Sequence, residues 1–322
     1  MPVEAVTNAP TPVVVGVFTP SVLLDLARTS GAVSRAGLAV TEVPVTSSPA
    51  QFRSLLEGEL DVALTSPDNV LAYRYNPRNP LGRLADARMV AAVDRGMGLG
   101  LYARPGLTAA DLRGARVGVD VPVSGFALAL YALADALGVA RDDYELVTLG
   151  STPRRLEALL AGDCDATMLN AGNELVAESA GYPCLARLSD VHTPYLGTVV
   201  AVVGEDRLDV ATRLAVCLTS TAGRVVGGAL TGEAAASARR RLDLDADSAL
   251  RYVERLRDPH QGLVPDGVVD SASLHTLVDL RRRYLPTPVD GVDQGSGSDP
   301  GPGDVLDDAL DDPGLVHRAG LT

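Results

Sequence analysis

Seven short polar side chains follow apolar stretches of the sequence, at points where helices are predicted to begin. They are the hydroxyl residues Thr19, Ser47, Ser48, Thr65, Ser66 and Ser124 and the amide Asn170. Such residues cap a helix by accepting backbone N–H groups of its first turn. In open α/β sheets these turns gather in a crevice at the carboxyl ends of the strands. Several helix N-termini around one crevice favour an anion or a polar heteroatom.

Three charged residues suggest a second kind of chemistry. Asp94 and Arg95 follow the apolar strand MVAAV, and His192 lies in the loop SDVHTPYLG. In an enzyme, Arg95 would hold a carboxylate or a sulfonate, and Asp94 or His192 would serve as a general base. The simpler alternative is that Asp94 and Arg95 form an ion pair at a rim and that His192 lies in a surface loop.

Other catalytic arrangements find little support in the residue types. The chain has no lysine, which excludes a lysine Schiff base and a P-loop lysine. Its three cysteines, Cys164, Cys184 and Cys217, have neither disulfide-framework nor zinc-site spacing. No Ser-His-Asp or metal-ligand constellation is visible, so we expect neither a cofactor nor a metal.

The pattern around the first capped helix recurs about a hundred residues later. SPAQFRSLLEGELDVALTSPDNVLA (48–72) and TPRRLEALLAGDCDATMLNAGNELVA (152–177) share a hydroxyl before proline, an amphipathic helix and a terminating glycine. An aspartate and an apolar strand follow, and a second helix is predicted to begin at Ser66 or at Asn170. Two such units indicate an α/β protein with two similar lobes and mostly parallel sheets.

Length and charge limit the function further. The 322 residues suit two lobes, and the net charge of −13 argues against nucleic acid as a partner. We find neither a membrane-spanning run nor a signal peptide, so the protein is expected to be cytoplasmic as given. It would be extracytoplasmic if the start were mis-assigned or trimmed. Gly, Pro, Ser and Asp dominate residues 287–322, which predicts a disordered acidic tail, and residues 1–11 are predicted to be flexible.

Several stretches resemble the periplasmic-binding-protein-like II fold. VVVGVFTP, GLAVTEVPV with LLEGELDVAL, and DLRGARVGVD are similar to thiamine-precursor, sulfonate and nitrate solute-binding proteins, the NMT1/THI5-like group. The resemblance spans about residues 13–205. It implies a ligand cleft between lobe I (12–103 plus 205–286) and lobe II (104–204), with chain crossings at LYARPG and VVGED. Carried over by position, the ligand shell comprises the seven residues above together with Asn69 and Tyr195. Asp94 and Arg95 are added to it as candidate ligand-binding residues, and no residue is assigned a catalytic role.

The resemblance leaves the function open between two main alternatives. The first is a substrate-binding protein that closes on a small anionic or heteroaromatic ligand and delivers it to an ABC permease. The second is a cytoplasmic enzyme on the same scaffold, of the lyase, decarboxylase or precursor-synthase type. A cytosolic metabolite sensor that uses the acidic tail as its protein contact is a third.

Overall fold

A computed structural model describes residues 9–285 and 309–317 of the chain. Its strands are β1 (Thr11–Val17), β2 (Leu38–Pro44), β3 (Val62–Thr65), β4 (Ala87–Asp94), β5 (Gly100–Ala103), β6 (Arg116–Val119), β7 (Glu145–Thr148), β8 (Ala166–Leu169), β9 (Cys184–Arg187) and β10 (Thr198–Val203). Its α-helices are α1 (Val22–Thr29), α2 (Ala32–Arg35), α3 (Ser48–Leu56), α4 (Pro67–Tyr75), α5 (Gly125–Ala136), α6 (Thr152–Ala161), α7 (Asn173–Ser179), α8 (Leu208–Val226), α9 (Thr231–Leu242), α10 (Ala246–Arg257) and α11 (Ser271–Tyr284).

The strands form two five-stranded sheets built on the same plan. The first sheet has the order β2-β1-β3-β10-β4 and the second the order β7-β6-β8-β5-β9. In each sheet three parallel strands are followed by a strand that runs antiparallel to both of its neighbours: β10 in the first and β5 in the second. The predicted α/β architecture with two similar halves is therefore confirmed.

The aspartate of the repeated motif has the same role in both halves. Asp61 accepts a hydrogen bond from the backbone N–H of Val14, at 2.7 Å, and Asp165 accepts one from that of Arg116, at 2.8 Å. Each carboxylate thus ties the entry of one strand to the neighbouring strand. This contact explains why an aspartate stands at both positions.

The crossings between the sheets differ from the predicted ones. Strand β5 pairs in the second sheet and β10 in the first, so the chain passes between them at residues 95–99 and 188–197. The sequence analysis had given residues 100–103 to lobe I and 198–204 to lobe II, with crossings at 101–106 and 202–206. Both strands are apolar and buried, and an apolar pattern does not say in which sheet a strand pairs.

Part of the predicted acidic tail is ordered. Of residues 309–317, the last three pair with β4: the N–H of Met89 donates to the carbonyl of Leu315, and the carbonyl of Met89 accepts the N–H of His317, both at 2.8 Å. Asp312 forms a salt bridge with Arg74, at 2.8 Å. The prediction of disorder is wrong for this segment, because the buried side chain of Leu315 and the backbone hydrogen bonds to Met89 hold it against the edge strand β4. Residues 1–8, 287–308 and 318–322 of the two predicted flexible ends lie outside the described residues.

Within the described residues no single helix has the length and apolar character needed to cross a bilayer. The successive helices α8 and α9 meet those criteria only when taken together, and they are bent by 113° at their junction.

Helix α11 links parts of both halves through a buried ion pair. Arg281 donates to both carboxylate oxygens of Asp68 in α4, at 2.6 and 3.0 Å, and to the carbonyl of Val123 before α5, at 3.2 Å. The Asp68 side chain is fully buried and that of Arg281 is 5 % exposed. Both charges therefore depend on each other for compensation.

We expect Arg281→Ala to lower the free energy of unfolding by roughly 3–5 kcal/mol, because it leaves the buried Asp68 carboxylate unpaired. Equilibrium denaturation in urea measures the change. Arg283→Ala, which removes an exposed partner of Asp135, is the control and should cost no more than about 1 kcal/mol. Equal effects of the two substitutions would contradict this role of the buried pair.

Candidate functional site

A cavity of about 120 Å3 lies between the two sheets, at the carboxyl ends of their parallel strands. From the first sheet, residues at the ends of β1, β3 and β4 line it, and from the second sheet, residues that follow β6, β7 and β8. Its polar lining consists of Thr19, Ser21, Thr65, Ser66, Asn69, Asp94, Asp120, Ser124, Thr152, Arg155, Asn170, Thr198 and Tyr252. Both halves of the protein therefore contribute to one site.

Most of the predicted site residues line this cavity, and four do not. Those lining it are Thr19, Thr65, Ser66, Asn69, Asp94, Ser124 and Asn170, whereas Ser47, Ser48, Arg95 and Tyr195 are not among the lining residues. Ser66, Ser124 and Asn170, which come from both halves of the protein, share the cavity. Ser48 lies just behind it and donates its backbone N–H to Asp120, at 3.2 Å.

Serine side chains cap three helices whose first turns reach the cavity. Ser21, Ser66 and Ser124 accept the backbone N–H groups of Leu24, Asp68 and Ala127. The N-terminus of α6 also reaches it, through Thr152. The positive ends of four helix dipoles therefore face one small volume, which favours a negative or electron-rich group.

Several caps differ from the predicted ones. Helix α1 is capped by Ser21 and not by Thr19, and α3 by Ser47 and not by Ser48. Ser48 and Gln51 do not form a capping box, because the side-chain amide of Gln51 donates to the carbonyls of Gly16 and Leu64.

The second half departs from the prediction in the same way. Ser151 is the N-cap residue of α6, one residue before the predicted Thr152, and Gly172 is that of α7. Asn170, predicted as the cap of α7, donates instead to the carbonyl of Gly96 in the first crossing, at 3.1 Å. Two neighbouring hydroxyl residues stand before the proline in both copies, Ser47 and Ser48 in the first and Ser151 and Thr152 in the second. The sequence does not show which of the two is the N-cap residue.

Two of the four residues outside the lining are engaged elsewhere. Arg95 forms a salt bridge, at 3.3 Å, with Asp270, the N-cap residue of α11. Ser47 caps α3 through a hydrogen bond from Ala50, at 3.3 Å. Arg95 was expected to hold an anion or to pair with Asp94, and the structure gives it a different carboxylate.

The most important lining residue that the sequence analysis missed is Arg155, in α6. Its guanidinium donates to the carbonyls of Gly150 and Met168 and to the hydroxyl of Thr152, at 2.5 to 3.3 Å. It is 2 % exposed, and no salt bridge among the described residues includes it. Arginine on a helix of this composition is usually a solvated residue, so the pattern gave no sign of a buried charge.

Arg155 stays charged although it is buried. Burial lowers its pKa to about 10, and the nearby negative charge of Asp120 acts in the opposite direction. At neutral pH the cavity wall therefore holds a guanidinium, and Asp120, which favours its charged form, lines the same cavity.

Part of the cavity wall is apolar. Val17, Leu64 and Val93 from the first sheet, with Leu256 of α10 and Leu263, form this part. Each of these side chains is less than a tenth exposed. A ligand that fills the cavity therefore meets both polar and aliphatic groups, as is usual for small-molecule sites.

Direct hydrogen bonds join the two halves around the cavity. Ser151 donates its backbone N–H to the carbonyl of Thr46, at 2.9 Å, and Asn173 donates to the hydroxyl of Thr19, at 3.2 Å. Gly150, next to the first contact, has a φ of +83°, and a Cβ there would lie 2.4 Å from the Thr46 carbonyl oxygen. The structure thus represents a closed arrangement in which the halves touch across the cleft.

The residues proposed for catalysis are not assembled. Asp94 lines the cavity, whereas Arg95 and His192 are not among its lining residues. Burial and the positive charge of Arg283 lower the pKa of His192. In the part of the chain that the structure describes, no three His, Cys, Asp or Glu residues are grouped as a metal site would require.

Asp94 is the titratable group of the cavity with the clearest shift. Burial raises its pKa to about 6, although the N–H of Gly96 donates to it at 2.8 Å and Thr198 also stabilises its ionised form. In the unfolded chain an aspartate has a pKa of about 3.9. The folded protein therefore binds this proton more tightly than the unfolded protein does.

We expect Asp94→Asn to change how stability depends on pH. Since the folded pKa of Asp94 is raised, its ionisation costs stability as pH rises from about 4 to about 6, by on the order of 3 kcal/mol in total. The free energy of unfolding of the variant, relative to wild type, should rise over that interval and then level off. Urea denaturation at a series of pH values measures it, and a constant difference would contradict the buried, raised pKa.

The chain matches one protein family in sequence and several solved structures in fold. A model of the family described as "ABC transporter, phosphonate, periplasmic substrate-binding protein" matches residues 33–212, more than half of the chain. No curated protein matches the chain in sequence.

Two solved structures illustrate the similarity of fold. The periplasmic nitrate-binding protein NrtA from Synechocystis PCC 6803 has a TM-score of 0.73 at 12 % identity, over 94 % of this chain and 86 % of that one. The alkanesulfonate-binding protein SsuA from Xanthomonas axonopodis pv. citri has a TM-score of 0.68 at 16 % identity, over 87 % and 95 %. Such likeness shows the fold, and the sequence match shows the family: the chain belongs to the phosphonate-type periplasmic substrate-binding proteins of ABC transporters.

Proposed function

We propose that the protein binds a small polar ligand in the cavity between its two sheets and delivers it unchanged to an ABC permease. The family supports small-molecule binding in a cleft and a permease partner. Because the family is described as periplasmic, the proposed place of action is outside the cytoplasmic membrane, which is the second of the two locations that the sequence analysis considered.

The observation that carries this proposal is the convergence of four helix N-termini and one buried guanidinium on a single cavity between the two halves. The N-termini of α1 and α4 come from the first half and those of α5 and α6 from the second. A ligand that accepts hydrogen bonds from both halves stabilises their closed arrangement, because those contacts exist only when the halves meet.

These features also define the class of ligand. One end of it accepts hydrogen bonds, as an oxyanion or a heteroaromatic nitrogen does, and it lies near Ser66, Ser124 and Arg155. The remainder is small and at least partly apolar, since Val17, Leu64 and Leu256 also line the cavity. We assign ligand contact to the seven predicted residues that line the cavity and to Arg155, and none to Ser47, Ser48, Arg95 or Tyr195.

Blocking the cavity should abolish binding without unfolding the protein. Thr19 is half-buried at the rim, so Thr19→Trp places an indole at the cavity while avoiding the core. A panel of alkylphosphonates, alkanesulfonates, nitrate and pyrimidines is screened by thermal shift, and the hits are titrated by calorimetry. We expect Thr19→Trp to weaken every hit at least about a hundredfold, since the ligand and the indole compete for one volume.

Thr41→Trp, at an exposed position of the edge strand β2, is the matched control and should bind as wild type does. Equal binding by both variants would show that the hits bind elsewhere. Mass spectrometry of a hit after prolonged incubation distinguishes a binding protein from the enzyme alternative, because a binding protein returns its ligand unchanged. Appearance of a product would contradict the proposed function.

A further inference from the structure

Residues 309–317, called here the docked segment, lie on the outer edge of the first half. Strand β4 is the edge strand of its sheet, and two separate pieces of the chain cover its open side. Gly267 accepts the N–H of Ala92, and Leu315 of the docked segment accepts that of Met89, both at 2.8 Å. The docked segment thus occupies a place that a strand from another molecule could take.

One carboxylate anchors the docked segment to helix α4. Oδ2 of Asp312 accepts hydrogen bonds from Nε and Nη2 of Arg74, at 3.0 and 2.8 Å, and from the hydroxyl of Tyr75, at 2.7 Å. Although burial acts in the opposite direction, these donors lower the pKa of Asp312 to about 2. At neutral pH the anchor is therefore an ionised group, and its hydrogen bonds are charge-assisted.

The docked segment also contains a turn and two buried apolar side chains. Oδ1 of Asp312 accepts the N–H of Gly314, at 2.7 Å, and a Cβ on Gly314 would lie 2.8 Å from Nη2 of Arg74. Ala309 and Leu315 are each 1 % exposed. This short stretch therefore combines an acidic anchor, a turn at a glycine and an apolar side chain on either side of that turn.

The contacts of the docked segment, and not a neighbouring helix or strand, determine its position. Residues 286–308, which lie outside the described residues, separate it along the chain from helix α11. It is held by the anchor on α4, by the pairing with Met89 and by its buried side chains. A segment held in this way can leave the surface by local unfolding while both sheets remain folded.

We propose that the surface formed by Arg74, Tyr75 and Met89 is a peptide-binding site separate from the cavity, and that the docked segment is its ligand in cis. The site takes a short acidic peptide by adding it to the open edge of β4. By occupying the site itself, the protein shields this edge from strands of other molecules. The inference concerns a different surface from the cavity and does not depend on the proposed function.

A synthetic peptide of residues 309–317, labelled with fluorescein at its N-terminus and amidated at its C-terminus, tests whether the segment binds as a separate ligand. Fluorescence anisotropy measures its affinity for three full-length proteins: wild type, Asp312→Ala and Asp311→Ala. The cis segment of the wild type competes with the peptide at a high effective concentration, and Asp312→Ala weakens this competitor. Asp312→Ala should therefore bind the peptide at least about tenfold more tightly than wild type does. Asp311→Ala, at an exposed neighbouring position, should bind as wild type does.

A second peptide, which carries Asp312→Ala itself, controls for any change that the substitution makes in the protein. It lacks the carboxylate that Arg74 and Tyr75 bind. The full-length Asp312→Ala protein should therefore bind it at least about tenfold more weakly than the native peptide.

Hydrogen exchange of the wild-type protein keeps the inference testable even if Asp312→Ala does not fold. The amides of Met89 and Ala92 lie on the same edge of β4, and the docked segment covers the first of them. If the docked segment detaches by itself, the amide of Met89 should exchange at least about tenfold faster than that of Ala92, after correction for intrinsic rates.

Three results would overturn the peptide-binding site and leave the proposed function of the cavity intact. They are equal exchange of the Met89 and Ala92 amides, equal binding of the native peptide by wild type and Asp312→Ala, and equal binding of the two peptides by Asp312→Ala.

Discussion

The site depends on a topological constraint. In each sheet one antiparallel strand lies between the three parallel strands and the edge strand, and the chain crosses between the halves next to that antiparallel strand. Strand β10 follows the second half and pairs in the first sheet, and β5 follows β4 directly and pairs in the second. The crossings hold the carboxyl ends of both sets of parallel strands around one cavity. Helix N-termini follow those strand ends, so the positive ends of the helix dipoles converge on the cavity.

This arrangement explains why charged residues in the cavity are tolerated. Arg155 satisfies its guanidinium with backbone carbonyls at the end of β8 and before α6, and Asp94 accepts the N–H of Gly96 in the crossing that follows it. Burial raises the pKa of Asp94 and lowers that of Arg155, because the charged form of each side chain loses solvation when it is buried. A fold that is stabilised by its apolar core does not need buried charges beside a cavity. Their presence is consistent with ligand recognition.

The sequence predicted the architecture better than it predicted the site. The repeat of helix, glycine, aspartate and strand was sufficient to indicate two similar α/β halves, because caps and strand entries are local features. Ser66, Ser124 and Asn170 were placed at the cavity by their position after strands, although Asn170 does not cap its helix. Which sheet receives β5 and β10 depends on long-range pairing, and for that reason the predicted crossings were wrong.

The residues that were missed are those whose role depends on burial. Arg155 and Asp120 look like solvated charges in the sequence, and only tertiary packing removes them from water. Arg95 was the more conspicuous arginine, since it follows a strand, and its partner Asp270 lies 175 residues away. The match to the phosphonate-type family agrees with the fold inferred from the resemblance, while the ligand class comes from the cavity itself.

A crystal structure with a bound probe, chosen from those that raise the unfolding temperature, tests the central claim most directly. The account predicts density for the ligand between the N-termini of α4 and α5, with polar atoms within about 3.2 Å of residues from both sheets. Density that contacts one sheet only, or that lies outside the cavity between the two sheets, would contradict it.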